Sequence, residues 1–267
     1  MFIYELCYPG IRPVGVDADT AHALTGLLGL MERGVAEAAV SLHFFEEARS
    51  DMSRHRPQPP SPDEWQRQAV IEQAVEARLM GQLAADLMPE QRFVAHSRVR
   101  DEARQEVKRQ AWREGEWPDS YRHIIPFLYA KAFLYAVDAV AQALGTLARE
   151  PWAPKDIDGI AIDWESAFPT VRAVRNTSQH EDERVLSRRQ GNKRIELKPI
   201  GDGLIHAPDG GVTVLSNLNG NRFGCTMADG HFGEFEVSST TLQAVGALAQ
   251  RSINAFTWEG TGRYTPW

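Results

Sequence analysis

The stretch IIPFLYAKAFLYAVDAVAQALGTL, Ile124–Leu147, sets the fold class. It is the most apolar run of the chain, and its apolar positions recur at helical spacing through Ile124, Phe127, Leu128, Phe133, Leu134, Val137, Val140 and Leu144. Lys131, Asp138 and Gln142 interrupt it. Two charges and an amide at those positions argue for a buried amphipathic helix at the centre of a core and against a membrane span. Asp119 or Ser120 suits its N-cap, and Pro126 falls within its first turns, where a start or a kink is expected.

On either side of it, helical spacing also marks Asp17 to about Arg49, Asp63 to about Leu87, and Arg92 to about Arg113. A proline-rich connection spans 54–62, and Gly115 to Pro118 is a break. Phe2–Cys7 reads as a short strand closed by Pro9-Gly10 and Pro13. After Gly191 the period changes to two. Strands are expected at Arg194–Pro199, Val212–Ser216, Arg222–Met227 and Glu234–Val237, with Gly-Asp and Asn-Gly turns between them, one of them at Asn217–Asn221. Ser238 caps a last helix to about Phe256, and Gly260–Trp267 reads as an irregular tail. The expected architecture is mainly α: an antiparallel helical bundle with a small antiparallel β-meander inserted before the last helix. Two regions are expected, 1–117 as a mostly helical N-terminal region and 118–267 as the bundle, with the β insertion at 192–238.

The chain has 267 residues and is 43% hydrophobic, enough for a real core. The first ten residues lack the basic flank and apolar centre of a signal peptide. Cys7 and Cys225 are the only cysteines and offer neither a disulfide framework nor a zinc quartet, so a reducing cytoplasm is the expected location. A net charge of −7 argues against general coating of nucleic acid. A local site is still compatible with that charge, because cations outnumber carboxylates two to one between Arg172 and Lys198.

Within that basic segment lies TVRAVRNTSQHEDER, Thr170–Arg184, which reads as one continuous helix that begins anywhere from Ile157 to Phe168, with Pro169 suited to a start or a kink just before it. Residues four apart share a helix face, so Arg172, Asn176 and His180 form a ridge that the long side chain of Arg175 can join. A guanidinium grips phosphate oxygens in a fork, and an imidazole moves protons near neutral pH. Such a ridge suits a phosphodiester.

The run from Arg175 through Asn176 to His180 resembles the Arg-x4–6-His motif of the HEPN superfamily, helical bundles that include RNA-cleaving toxins and anti-phage factors. The family commonly has Asn after the Arg and sets the motif on a late helix behind a strongly apolar one, as here. The resemblance covers about 118–256 and implies a metal-independent endoribonuclease that works as a homodimer without a cofactor. It casts His180 as general acid or base, Arg175 as stabiliser of the phosphorane-like transition state, and Asn176 as orienting group. Arg172, Arg184, Arg188 and Arg189 are then the expected RNA-binding cations, and an antitoxin or regulatory partner is expected. Some members are regulated by nucleotide transfer to a Tyr two residues after the His; Asp182 stands there in this chain.

Other chemistry is weaker. Arg49 to His55 fits the same bare pattern but runs into the prolines, and is set aside. His43, Glu46 and Glu47 have helical spacing suited to a metal but lack matching ligands on other helices, so no metal site is expected. Gly201–Gly203 and Asp209–Gly211 are glycine-rich turns with no helix behind them, unlike a phosphate loop. Trp258, Tyr264 and Trp267 could stack on bases, but packing of the tail onto the body or filling of a dimer contact suits them better. The alternative to a ribonuclease is a non-catalytic helical protein that binds a nucleotide, RNA or a partner protein.

Overall fold

The computed structural model describes residues 2–54, 62–83, 89–189, 191–201 and 204–266. The fold is mainly α, with eight helices among the described residues and only small antiparallel strand pairings. The chain clusters into two compact units, Met1–Arg49 with Ile125–Trp267, and Ser50–Ile124. This cuts the chain elsewhere than the expected boundary at 117/118, because the first helix shares its core with the later ones.

In the larger unit, α1 (Ala18–Arg54) up to Arg49 and α4 (Asp119–Leu147) from Ile125 supply most of the core. Leu24, Leu28, Met31, Val35, Ala38, Leu42 and Phe45 line one stripe of α1 at alternating three- and four-residue spacing, and all are buried. From α4, Ala130, Phe133, Leu134, Val137, Val140, Leu144 and Leu147 join the same cluster. α1 and α4 approach closely at Gly34, where a Cβ would stand 2.5 Å from Val140 Cγ2 and 2.9 Å from the Ala136 carbonyl oxygen. Among the described residues α4 is also the one helix long and apolar enough to cross a membrane, and its buried positions are those that fill this core.

α5 (Asp156–Ala167) and α6 (Val171–Gln179) follow as separate helices, parted around Pro169. The expected helix over 170–184 is broken. α6 ends at His180, whose φ of −121° and ψ of 42° are not helical, and a short α7 (Glu181–Val185) begins there. Ser178 Oγ donates to the Val174 carbonyl at 3.1 Å, a local bond of the kind that bends helices. The acids Glu181, Asp182 and Glu183 favour a new helix N-terminus.

The β region holds β3 (Arg188–Arg189) paired with β4 (Lys193–Arg194), β5 (Ile200–Gly201) with β6 (His206–Ala207), and a three-stranded meander of β7 (Asn217–Asn219), β8 (Arg222–Thr226) and β9 (Phe232–Glu236). Three expectations need correction. Arg194–Pro199 is not a strand beyond Arg194, because past it only isolated bonds form, Ile195 N to the Ser187 oxygen at 2.8 Å and Lys198 N to the Gly230 oxygen at 3.0 Å. Val212–Ser216 is not a strand, because its link to β8 is confined to Val214 and Thr226: Thr226 N donates to the Val214 oxygen at 2.8 Å and Val214 N to Thr226 Oγ1 at 2.9 Å. Asn217–Asn219, expected as a turn, is the first strand, with the turn at Gly220-Asn221. Phe133 of α4 meets Phe235 of β9 with ring centroids 5.8 Å apart, so the meander is part of the core. Ser238 caps α8 (Ser239–Asn254), accepting from Thr241 N at 3.1 Å.

The tail is not irregular. β10 (Trp258–Glu259) pairs with β2 (Arg12–Pro13), and β11 (Arg263–Thr265) with β1 (Leu6–Tyr8).

In the smaller unit, α2 (Pro62–Leu83) and α3 (Pro89–Arg113) lie antiparallel, with Arg104 2.9 Å from Glu72 and His96 3.1 Å from Glu76. Val99 and Ala103 are buried there. His55, most of the proline connection, the end of the 63–87 helix, the centre of the Gly201–Gly203 turn and Trp267 lie outside the described residues.

Two glycines of α1 give a test of opposite signs. A Cβ added at Gly29 would meet nothing within 4 Å, so Gly29→Ala should stabilise by about 0.5–1 kcal/mol through helix propensity. Gly34→Ala gains the same propensity but overpacks against α4, which costs about 1–3 kcal/mol, so it should destabilise. Urea denaturation of the two variants checks the pair.

Candidate functional site

α6 is held from beneath. Val171, Val174, Thr177 and Ser178 are its buried residues, and the meander packs on that side. Thr177 Oγ1 donates to the Thr226 carbonyl at 3.2 Å, Cys225 Sγ to the Val174 carbonyl at 3.6 Å, and Thr170 Oγ1 to the Glu234 carbonyl at 2.7 Å. With Val171 and Val174 turned inward, Arg172 is exposed and Arg175 and Asn176 are half-buried.

Arg175 is fixed by α4. Its Nε stands 2.9 Å from Asp138 Oδ2, and its terminal nitrogen donates to Asn176 Oδ1 at 3.0 Å. The Asp138 side chain is only 5% exposed and also accepts from Gln142 Nε2. Guanidinium has five N–H groups, so three remain for a ligand, and the Asn176 amide N–H2 is left to donate as well. Two turns back along α4, Lys131 pairs with Glu181, which also accepts from Ser216 Oγ at 3.4 Å. The carboxylate next to His180 is thus drawn onto a lysine. That same carboxylate, together with burial as the larger cause, raises the Tyr135 hydroxyl pKa above its ordinary value.

Arg175 and Asn176 open onto a cavity of about 320 Å³, at the lower end of the size range of small-ligand pockets. Arg149 and Arg172 add two further guanidinium groups, and Trp164 and Phe168 form an aromatic flank with ring centroids 4.9 Å apart. Asp138 and Glu165 bring the negative charge. The cavity therefore carries a net excess of one cation, and Arg172 has no side-chain partner among the described residues. His180 is not in the lining. It is exposed at the α6–α7 junction, where its backbone N–H donates to the Thr177 carbonyl at 3.0 Å and its imidazole has no partner among the described residues.

The structure brings Arg172, Arg175 and Asn176 to one cavity, places His180 at the end of the same helix, and separates Arg184 from them. Arg184 is 3% exposed. Its Nε donates to Thr177 Oγ1 at 3.4 Å, and its terminal nitrogen to the Arg188 carbonyl at 2.6 Å and to Glu183 at 3.5 Å. Its guanidinium works as an internal tie between α6 and β3, out of reach of RNA. Arg188 and Arg189 are exposed. Asp138, Lys131, Arg149, Trp164 and Phe168 belong to the surroundings of the site, and sequence reasoning does not single them out as site residues. Lys131 and Asp138 did carry a signal: two charges seven residues apart on one face of an apolar helix demand partners.

Searches of family models, of curated proteins and of solved structures find no match to this chain.

Two tests follow from the buried groups. Arg175→Ala strands the Asp138 carboxylate and should cost about 2–3 kcal/mol, whereas Arg172→Ala, at an exposed position, should stay within about 0.5 kcal/mol. Chemical denaturation separates the two. Burial pushes the Cys225 thiol from an ordinary 9.0 up to about 12. Its folded pKa lies above its unfolded one, so the stability it contributes is complete below pH 9 and is lost as pH rises toward 12. The denaturation midpoint should fall across that window, and less steeply in Cys225→Ala.

Proposed function

We propose that the protein is a HEPN-like endoribonuclease of the toxin or anti-phage kind, acting as a cytoplasmic homodimer. One observation carries the reading. Arg175 and Asn176 face an anion-compatible cavity while His180, at the end of the same nine-residue helix, presents a free imidazole to solvent. A solvent-facing imidazole is available for proton transfer, and a guanidinium held rigidly by a carboxylate needs little reorganisation to meet developing phosphate charge.

In this reading the His180 imidazole takes the proton of a ribose 2′-hydroxyl. The 2′-oxygen attacks phosphorus, the P–O5′ bond breaks, and the leaving 5′-oxygen takes a proton from a second acid. The products are a 2′,3′-cyclic phosphate and a 5′-hydroxyl. One chain brings one such imidazole, and the symmetry mate brings the second. Arg175 stabilises the phosphorane-like transition state through the N–H groups that Asp138 leaves open, and Asn176 orients the phosphate.

The cavity favours a second reading, a non-catalytic binder of a nucleotide. Its aromatic flank and the guanidinium groups of Arg149 and Arg172 suit a base and a phosphate, and His180 lies outside it.

Purified wild type incubated with mixed RNA should give cyclic-phosphate ends, and expression in a bacterial host should arrest growth. His180→Ala should abolish both with an unchanged melting temperature, since its side chain holds nothing in place. Intact RNA across many substrates, with nucleoside monophosphate binding that weakens in Arg172→Ala, would sink the nuclease and favour the binder. Arg175→Ala is the poorer probe, because it also disturbs the fold.

A further inference from the structure

The hairpin β3–β4 carries an arrangement that the fold by itself does not call for. Its register sets Arg188 opposite Arg194 and Arg189 opposite Lys193. Every paired position of this two-residue ladder is a cation facing a cation, and like charges directly opposite on a sheet are destabilising. All four side chains are exposed, and none has a carboxylate partner among the described residues.

The base of the hairpin is also anchored to the body. The turn uses Gly191 at φ 77° and Asn192 at φ 59°. Ser187, at its base, holds φ 50° and accepts from Ile195 N at 2.8 Å, and Ile195 is buried. Ser187 Oγ lies 3.2 Å from Thr213 Oγ1. Arg184 reaches from the interior to hold the Arg188 carbonyl while touching Thr177 of α6. Two repelling pairs, Arg188 with Arg194 on one face and Arg189 with Lys193 on the other, are therefore displayed on a ribbon tied to the helix that bears Arg175 and Asn176.

The geometry points to this ribbon as a docking surface for the RNA sugar-phosphate backbone, with Lys193 and Arg194 acting together with Arg188 and Arg189. A ribbon that carries a pair of cations on each face, whose mutual repulsion is relieved by phosphates, binds a polyanion through counterion release, without reading sequence. This inference rests on the reading that RNA is the ligand, and it assigns backbone recognition to the hairpin, apart from the chemistry at His180.

Binding is measured by fluorescence anisotropy with a labelled stem-loop RNA, in the His180→Ala protein so that cleavage plays no part. Lys193→Glu with Arg194→Glu places carboxylates opposite Arg189 and Arg188. RNA affinity should fall about tenfold or more at low salt, and the slope of log affinity against log salt should lose about 0.7–0.9 for each phosphate contact removed. The melting temperature should stay level or rise, because two repulsive pairs become attractive ones; that outcome separates lost binding from lost folding. Unchanged RNA affinity and salt slope in the folded double variant would overturn the inference and leave the patch to an acidic protein partner. If wild type fails to cleave RNA but this variant still loses RNA affinity, the docking surface stands and only the nuclease reading falls.

Discussion

A carboxylate buried in the most apolar helix of the chain is the constraint on which the site depends. Asp138 sits among core positions of α4, where an unpaired charge would cost several kcal/mol. Its demand is met by Arg175 from α6 and by Gln142 one turn along its own helix. Meeting that demand fixes where α6 lies on α4 and how the Arg175 guanidinium is turned. The same guanidinium also lines the cavity. Arg175 therefore holds the fold and lines the cavity at once, whereas the side chains of Arg172 and His180 have no partner among the described residues.

A second consequence comes from the break at His180. A continuous helix would have kept the imidazole stacked over Asn176 in a single ridge. The junction instead turns Glu181 toward Lys131 of α4 and Arg184 into the interior. Arg184 then ties α6 to the basic hairpin. The motif helix is thus gripped on three sides, by α4, by the meander beneath it, and by this buried guanidinium. What reaches solvent is a divided surface, with a polar cavity on one side and an imidazole at the helix end.

Much of the helical architecture was legible in the sequence because it rests on local periodicity. Leu24 to Phe45 and Phe133 to Leu147 announce their buried stripes through spacing, and Ser238 announces α8 through its hydroxyl. Breaks and pairings were less legible where distant residues decide them. Glu181 meets Lys131 fifty positions earlier in the chain. Trp258–Glu259 and Arg263–Thr265 become strands only because Arg12–Pro13 and Leu6–Tyr8 lie beside them. Val212–Ser216 alternates as a strand does, yet its link to β8 is confined to Val214, and alternation alone cannot report a missing ladder.

Residue order alone was enough to establish the mainly α class, the apolar centre on α4, the meander before the last helix, and the presence of Arg172, Arg175, Asn176 and His180 within one short segment. These follow from spacing and side-chain type, which are local properties. It took the folded chain to establish that Asp138 claims Arg175, that Arg149, Trp164 and Phe168 complete a cavity, that Arg184 is buried, and that Arg188 and Arg189 face Arg194 and Lys193. Each of these is a contact between side chains from different elements or a register between strands, and burial and pairing of charge arise only when those segments are brought together.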